Sequence, residues 1–142
     1  MDYTFEMFNV DIDNIIKNIT EVKFNPFMIV GITRGGLIPA TVLAHRLDIP
    51  TSRVEVINWS RNKIPEEVYF AHNCDLPILI VDDIVDTGYT QENIHAFLPN
   101  AKYAALLYNV GQTIAEPDFY GRIINKTIDP SWIDFWWETH GS

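Results

Sequence analysis

No stretch constrains this chain more than Ile78 to Thr90, which reads ILIVDDIVDTGYT. Four apolar residues run into two adjacent carboxylates, two more apolar residues, a third carboxylate and a Thr-Gly-Tyr-Thr turn. A short unbroken apolar run is the pattern of a strand buried on both faces, as in a parallel sheet. Thr87-Gly88-Tyr89-Thr90 opens a helix, so its backbone N–H groups and hydroxyls can converge on one point and hold a phosphate, and Gly88 allows close approach. Asp82 and Asp83, at the strand's carboxyl end, suit either vicinal sugar hydroxyls or a hard divalent cation. Asp86 lies between those acids and the phosphate turn, placed to act as a base. A solvated acidic turn after a buried strand would explain Asp82 and Asp83 alone, but not the whole segment.

The flanking sequence repeats this alternation. Met7, Phe8, Ile12, Ile15, Ile16 and Ile19 mostly share one face of a helix over 6–21, which Asn25-Pro26 ends. Residues 27–32 read as a second buried strand, and 37–47 as a helix with Pro39 near its first turn. Residues 53–59 alternate as a strand, 60–65 form a polar, mobile loop carrying Arg61 and Lys63, and 77–81 form a strand that ends at Asp82-Asp83. A helix over 90–97, a strand over 101–108 and a weaker strand over 122–128 precede an aromatic tail. This order predicts an α/β fold, a doubly wound and mainly parallel sheet with helices on both faces. Ligands in such sheets sit beyond the carboxyl ends of the strands, so the loops after residues 32, 59, 81 and 108 are where chemistry is expected.

With 142 residues, no repeat and no linker, the chain reads as a single domain over 1–142. Its net charge of -9 is the wrong sign for tracking a phosphate backbone, so nucleic acid is not the expected partner. A lone Cys74 has no intramolecular disulfide partner, and His45, His72, His95 and His140 lack metal-site spacing. No run reaches the roughly 18 apolar residues of a membrane span and no leader pattern opens the chain, so a cytoplasmic protein is expected.

The segment 78–90 resembles, at every position, the signature by which type I phosphoribosyltransferases bind 5-phosphoribosyl 1-diphosphate (PRPP). Ile32-Thr33-Arg34-Gly35-Gly36-Leu37-Ile38-Pro39 resembles the diphosphate loop of the purine enzymes, most closely the bacterial xanthine-guanine branch. Pro130-Ser131-Trp132-Ile133-Asp134-Phe135-Trp136-Trp137-Glu138 resembles the same branch's base-binding tail, with Trp136 where proline is usual. The resemblance runs from about Met28 to Glu138 and is weakest in the N-terminal helix and the loop at 60–65. It implies the type I fold with a small C-terminal hood to which the tail 129–142 contributes. It also implies Mg²⁺-dependent transfer of phosphoribose to a purine, giving a nucleoside 5'-monophosphate in purine salvage, and homo-oligomerisation.

The resemblance distributes roles over the chain. Asp86 would be the catalytic base. Asp82, Asp83, Asp86, Thr87, Gly88, Tyr89 and Thr90 would hold PRPP, and Asp83 would also hold the metal. Arg34 and the Gly35 backbone would meet diphosphate across a cis Thr33-Arg34 peptide, with Arg61 and Lys63 as further diphosphate candidates. Trp132 would stack on the base and the Ile133 backbone would read its edge. Relatives that use 6-oxopurines carry a lysine where this chain has Asn109. Its carboxamide can donate to an oxo group or accept from an amine, which leaves the base open. Lys102 and Lys126 lie too far along their segments to be obvious substitutes. A competing reading keeps the fold as a PRPP-binding regulatory protein, or as a transferase for another nucleobase.

Overall fold

Apolar runs separated by amphipathic stretches bury most efficiently as a layered α/β unit, and the chain adopts that layering. A computed structural model describes residues 1–61 and 63–138. The first half of the chain runs β1 (Asp2–Tyr3), α1 (Phe5–Glu21), β2 (Met28–Ile32), α2 (Leu37–Arg46), β3 (Val54–Ile57) and α3 (Glu66–Asn73). The second half runs β4 (Ile78–Val85), α4 (Tyr89–Phe97), β5 (Lys102–Asn109), β6 (Phe119–Ile124) and β7 (Asp134–Phe135). Five strands form a fully parallel sheet in the order β3-β2-β4-β5-β6. Strand alternation sends Ile29, Leu79 and Val81 to one face, against Phe8, Ile12 and Ile15 of α1 and Leu43 of α2. Met28, Val30, Ile78 and Ile80 face the other side, against Val68 and Ala71 of α3 and Ile94 of α4. The sheet is therefore doubly wound, as its composition and spacing predict.

The differences from expectation have local causes. β4 does not stop at Val81 but runs to Val85, because Asp82 and Ile84 stay in register with Ala105 and Leu107 of β5. β6 spans Phe119–Ile124 rather than 122–128, its last residue paired with Asn109 at the end of β5. The strand expected over 53–59 shortens to Val54–Ile57, and Trp59–Arg61 forms a 3₁₀ turn. Helix α3 was hidden in a polar stretch: only Val68 and Ala71 are buried, and Glu66 and Glu67 in the first turn favour its start. Strands β1 and β7, two residues each, are too short to leave a periodic signal, yet they pair in parallel and tie the tail to the N-terminus. The Met1 ammonium donates to the Trp132 carbonyl at 2.7 Å, and the Trp136 N–H donates to the Tyr3 carbonyl at 3.0 Å. Among the described residues no helix is long and apolar enough to cross a membrane.

Candidate functional site

The carboxyl ends of β2, β4 and β5 bring together the acids Asp82, Asp83 and Asp86, the Thr87–Thr90 turn and Asn109. Asp82 and Asp83 lie side by side near the end of β4, their carboxyl groups close enough to interact, and both face one cavity. The Asp82 carboxylate accepts from the Tyr103 hydroxyl at 2.9 Å and from the Asp83 N–H at 2.9 Å. Burial, then the adjacent Asp83 charge, push Asp82 well above the usual carboxylate range. Asp83 accepts from the Ile84 N–H at 2.8 Å and lies against Gly35, where an added Cβ would run into its carboxylate. The Thr33-Arg34 peptide that leads into Gly35 is cis, as the resemblance implies. Tyr103 was not singled out in the sequence; in a strand it reads as another core aromatic until its hydroxyl partner is seen.

The raised pKa of Asp82 makes a stability prediction. The folded chain holds that proton at pH values where the unfolded chain, with an aspartate near 3.9, has released it. Stability contributed by Asp82 therefore falls as pH rises through that window. Asp82→Asn keeps an oxygen for Tyr103 and removes the charge. It is expected to stabilise the ligand-free protein by about 0.5–2 kcal/mol at pH 8, with a smaller gain at pH 5. Thermal melts at the two pH values check this, and a lower Tm for the variant at pH 8 contradicts it.

Beyond β4 the chain turns through Thr87 and Gly88 into α4. Gly88 has φ +88°, and an added Cβ there would crowd the Ala115 backbone and the Thr113 side chain. The Ile114 N–H donates to the Thr87 carbonyl at 2.8 Å, so the 110–117 loop backs the turn. Thr90 is half-buried, whereas Tyr89, 62% exposed, offers its backbone rather than its ring. At Asp86, one carboxylate oxygen accepts from Asn109 Nδ2 at 2.8 Å and the other from Lys126 Nζ at 3.0 Å.

Asn109 itself is 0% exposed, and its Oδ1 accepts from the backbone N–H groups of Lys126 and Gly111 at 3.0 and 3.2 Å. It holds Asp86 and the following loops rather than presenting a free amide edge. The group that sequence spacing set aside, Lys126, is the one that reaches the site. With β6 ending at Ile124 beside Asn109, Lys126 stands in the loop over the strand tips instead of inside a strand.

A cavity of about 260 Å³ is lined by Thr33, Asp82, Asp83, Asp86, Thr87, Gly88 and Thr90, together with Tyr103 and Trp59. Arg34, exposed, and Gly35 flank it without lining it. Arg61 and Lys63 are exposed on the segment that carries Trp59. Trp132 is 70% exposed and lines no part of this cavity. Ile133 is buried and borders a separate cleft of about 280 Å³ with Met1, Ile124 and Ile128. A larger apolar groove, about 670 Å³ between Phe27, Arg53 and Phe70, contains none of the three acids. Among the described residues no three His, Cys, Asp or Glu side chains gather to cage a metal; His140 lies outside those residues. The donor set fits a hard cation held by Asp83, and through it by a ligand's own oxygens, better than a site built wholly from protein.

The family described as "Phosphoribosyl transferase domain" matches residues 6–140, reaching into the N-terminal helix where motif resemblance is weakest. A xanthine-guanine phosphoribosyltransferase from Cereibacter sphaeroides is 36% identical over 118 residues, 78% of this chain and 68% of that protein. Another from Gluconobacter oxydans is 32% identical over 129 residues, 82% of this chain and 72% of that one. Among solved structures, a purine phosphoribosyltransferase from Pyrococcus horikoshii superposes with TM-score 0.72 at 26% identity, covering 100% of this chain and 95% of that one. A xanthine-guanine-hypoxanthine phosphoribosyltransferase from Helicobacter pylori gives TM-score 0.72 at 25% identity, covering 96% and 92%.

Proposed function

The chain belongs to the phosphoribosyltransferase family, and on that premise we propose that its strand-tip cavity transfers 5-phosphoribose from PRPP to a purine, releasing diphosphate. The observation that carries this reading is the convergence of Asp82, Asp83, Asp86 and the Thr87–Thr90 turn on one cavity. The names of the relatives, which print xanthine and guanine and in one solved structure hypoxanthine, support a 6-oxopurine; the proposed product is a nucleoside 5'-monophosphate formed in salvage.

In this reading the N–H groups and hydroxyls of Thr87, Gly88, Tyr89 and Thr90 anchor the 5-phosphate and turn binding energy into orientation of the ribose. Asp82 and Asp83 engage the ribose hydroxyls, and Asp83 would hold Mg²⁺. That ion, bound with PRPP, supplies charge neutralisation for the diphosphate. Arg34 and the Gly35 N–H meet the diphosphate from the facing loop, with Arg61 and Lys63 on the segment that follows Trp59 as further contacts. As a ring nitrogen of the base bonds to the anomeric carbon and the carbon–diphosphate bond breaks, Asp86 takes the proton from the base's other N–H. Trp132 and the Ile133 backbone, which stand outside the cavity, are assigned the base's face and edge by resemblance alone, while Asn109 supports Asp86. One domain over 1–142, assembled as a homo-oligomer in the cytoplasm with no nucleic-acid partner, completes the proposal.

Gly35→Ala is expected to weaken PRPP binding at least about tenfold, because the new methyl displaces the Asp83 carboxylate. Titration calorimetry with PRPP and Mg²⁺ measures this, and unchanged affinity contradicts it. The reading as a whole is tested by diphosphate release from PRPP and Mg²⁺ with guanine, xanthine, hypoxanthine and adenine supplied separately. Release with a purine supports it. Silence with all four while PRPP still binds overturns it in favour of a regulatory protein or another base.

A further inference from the structure

We propose that Asn109 is a positioning residue of the transfer reaction, a buried carboxamide that aims the Asp86 carboxylate at the base. This deepens the transferase reading above and rests on it.

Asp86 is the first residue past β4 and its side chain is 41% exposed, so no strand ladder and little packing set its rotamer. Two groups hold its carboxylate, and they are not alike. The Lys126 ammonium, at 3.0 Å, ends a flexible four-carbon stem and is partly open to solvent. The Asn109 Nδ2, at 2.8 Å, belongs to a short side chain that is 0% exposed and is fastened at its other end as well. Its Oδ1 accepts from the Lys126 and Gly111 N–H groups at 3.0 and 3.2 Å, and its backbone stands in the ladder beside Ile124. Asp86 therefore meets one donor that cannot swing away. A carboxylate oxygen held in this way keeps a further lone pair for a proton.

The residue type follows from this double duty. Tying down the two loop N–H groups needs only an acceptor, which an aspartate would supply. Facing Asp86 needs a donor, and a fully buried position disfavours a charged one. A short carboxamide donates at one end and accepts at the other without charge. Orientation of a reacting group is where rate is lost quickly, since a misplacement of about 1 Å can cost on the order of 10²-fold. Asn109 has no exposed atom and lines no part of the cavity, so its effect on turnover passes through Asp86.

The experiment measures kcat and the PRPP dissociation constant for the unsubstituted protein, Asn109→Ala, Asp86→Asn and the two combined. Any purine on which the unsubstituted protein releases diphosphate serves as the base. Asn109→Ala is expected to lower kcat at least about tenfold while PRPP affinity stays within about threefold. Added to Asp86→Asn, the same change is expected to cost less than about twofold more, because no proton acceptor is left to aim. Asn109→Asp guards against a folding defect: it is isosteric, still accepts from both loop N–H groups and sets an oxygen against Asp86, so its kcat also falls at least about tenfold. An equal factor lost in both Asp86 backgrounds would make Asn109 a structural tie alone and overturn the inference. Unchanged kcat in either Asn109 variant overturns it, as does a loss of PRPP affinity in place of kcat, and in each case the transferase reading stands. Diphosphate release with none of the purines overturns that reading, and this inference with it.

Discussion

Asp86→Asn is expected to slow nucleotide formation by about 10²–10⁴-fold while PRPP remains bound. The substitution preserves shape, and an Asn side chain can still accept a hydrogen bond from Lys126 Nζ or Asn109 Nδ2, which now hold the carboxylate at 3.0 and 2.8 Å. What it cannot do is accept a proton from the base. Positioned proton transfer contributes on the order of 10²–10⁴-fold to rate, so kcat is expected to fall by that factor. The phosphate turn at Thr87–Thr90 and the acids on β4 are untouched, so the PRPP dissociation constant changes little. Steady-state diphosphate release and calorimetric titration measure the two separately. A loss of less than about tenfold in kcat would remove Asp86 from the role of base.

The second large effect is on stability and lies away from the cavity. Asp11 is 0% exposed inside α1, and both its oxygens accept from Arg122 Nε of β6 at 2.9 Å, while Oδ2 also accepts from the Tyr3 hydroxyl at 2.6 Å. Arg122→Met leaves that carboxylate buried without its cation, and breaking such a pair costs about 3–5 kcal/mol. At roughly 2–4 °C per kcal/mol for a chain of this size, Tm falls by about 10 °C. Burial already raises the Asp11 pKa, against the pull of Tyr3 and Arg122. A raised folded-state pKa means that stability drops as pH climbs from the unfolded aspartate value through the folded one. Loss of Arg122 extends that window upward, so the deficit is larger at pH 8 than at pH 5. Asp11→Leu/Arg122→Met should recover much of the loss, because it leaves no unpaired charge. Calorimetric melts check each point, and a Tm within about 2 °C of the unsubstituted protein contradicts the account.

The same cluster explains why the tail was only partly legible. Trp132-Ile133 could be recognised as a motif, but what orients it is β7 pairing with β1, and β1 is held by Tyr3 through its bond to Asp11. The β1–β7 pairing joins residues more than a hundred positions apart, as Tyr3 with Phe135, and leaves no local pattern. The centre of the sheet was legible for the opposite reason: residues 28–32 and 78–81 are buried on both faces and must be continuously apolar wherever they pair. The cluster at the tip of β4 was legible because the turn into α4 requires a glycine at φ +88° and the acids follow directly from a buried strand. Lys126 escaped because its importance depends on where β6 stops. A strand drawn to Ile128 buries the lysine's position in the ladder, whereas one that stops at Ile124 frees it to meet Asp86. Tyr103 and Asn109 escaped as supports, since only a partner across the sheet distinguishes a core tyrosine or a strand-end asparagine from one that holds a carboxylate.

The most direct measurement is chromatographic and mass-spectrometric identification of the product formed from PRPP, Mg²⁺ and hypoxanthine by the unsubstituted protein, with Asp86→Asn in parallel. The account predicts a nucleoside 5'-monophosphate in equimolar amount with diphosphate, formed at least about a hundredfold more slowly by the variant. Hypoxanthine recovered unchanged by a protein that still binds PRPP would contradict it.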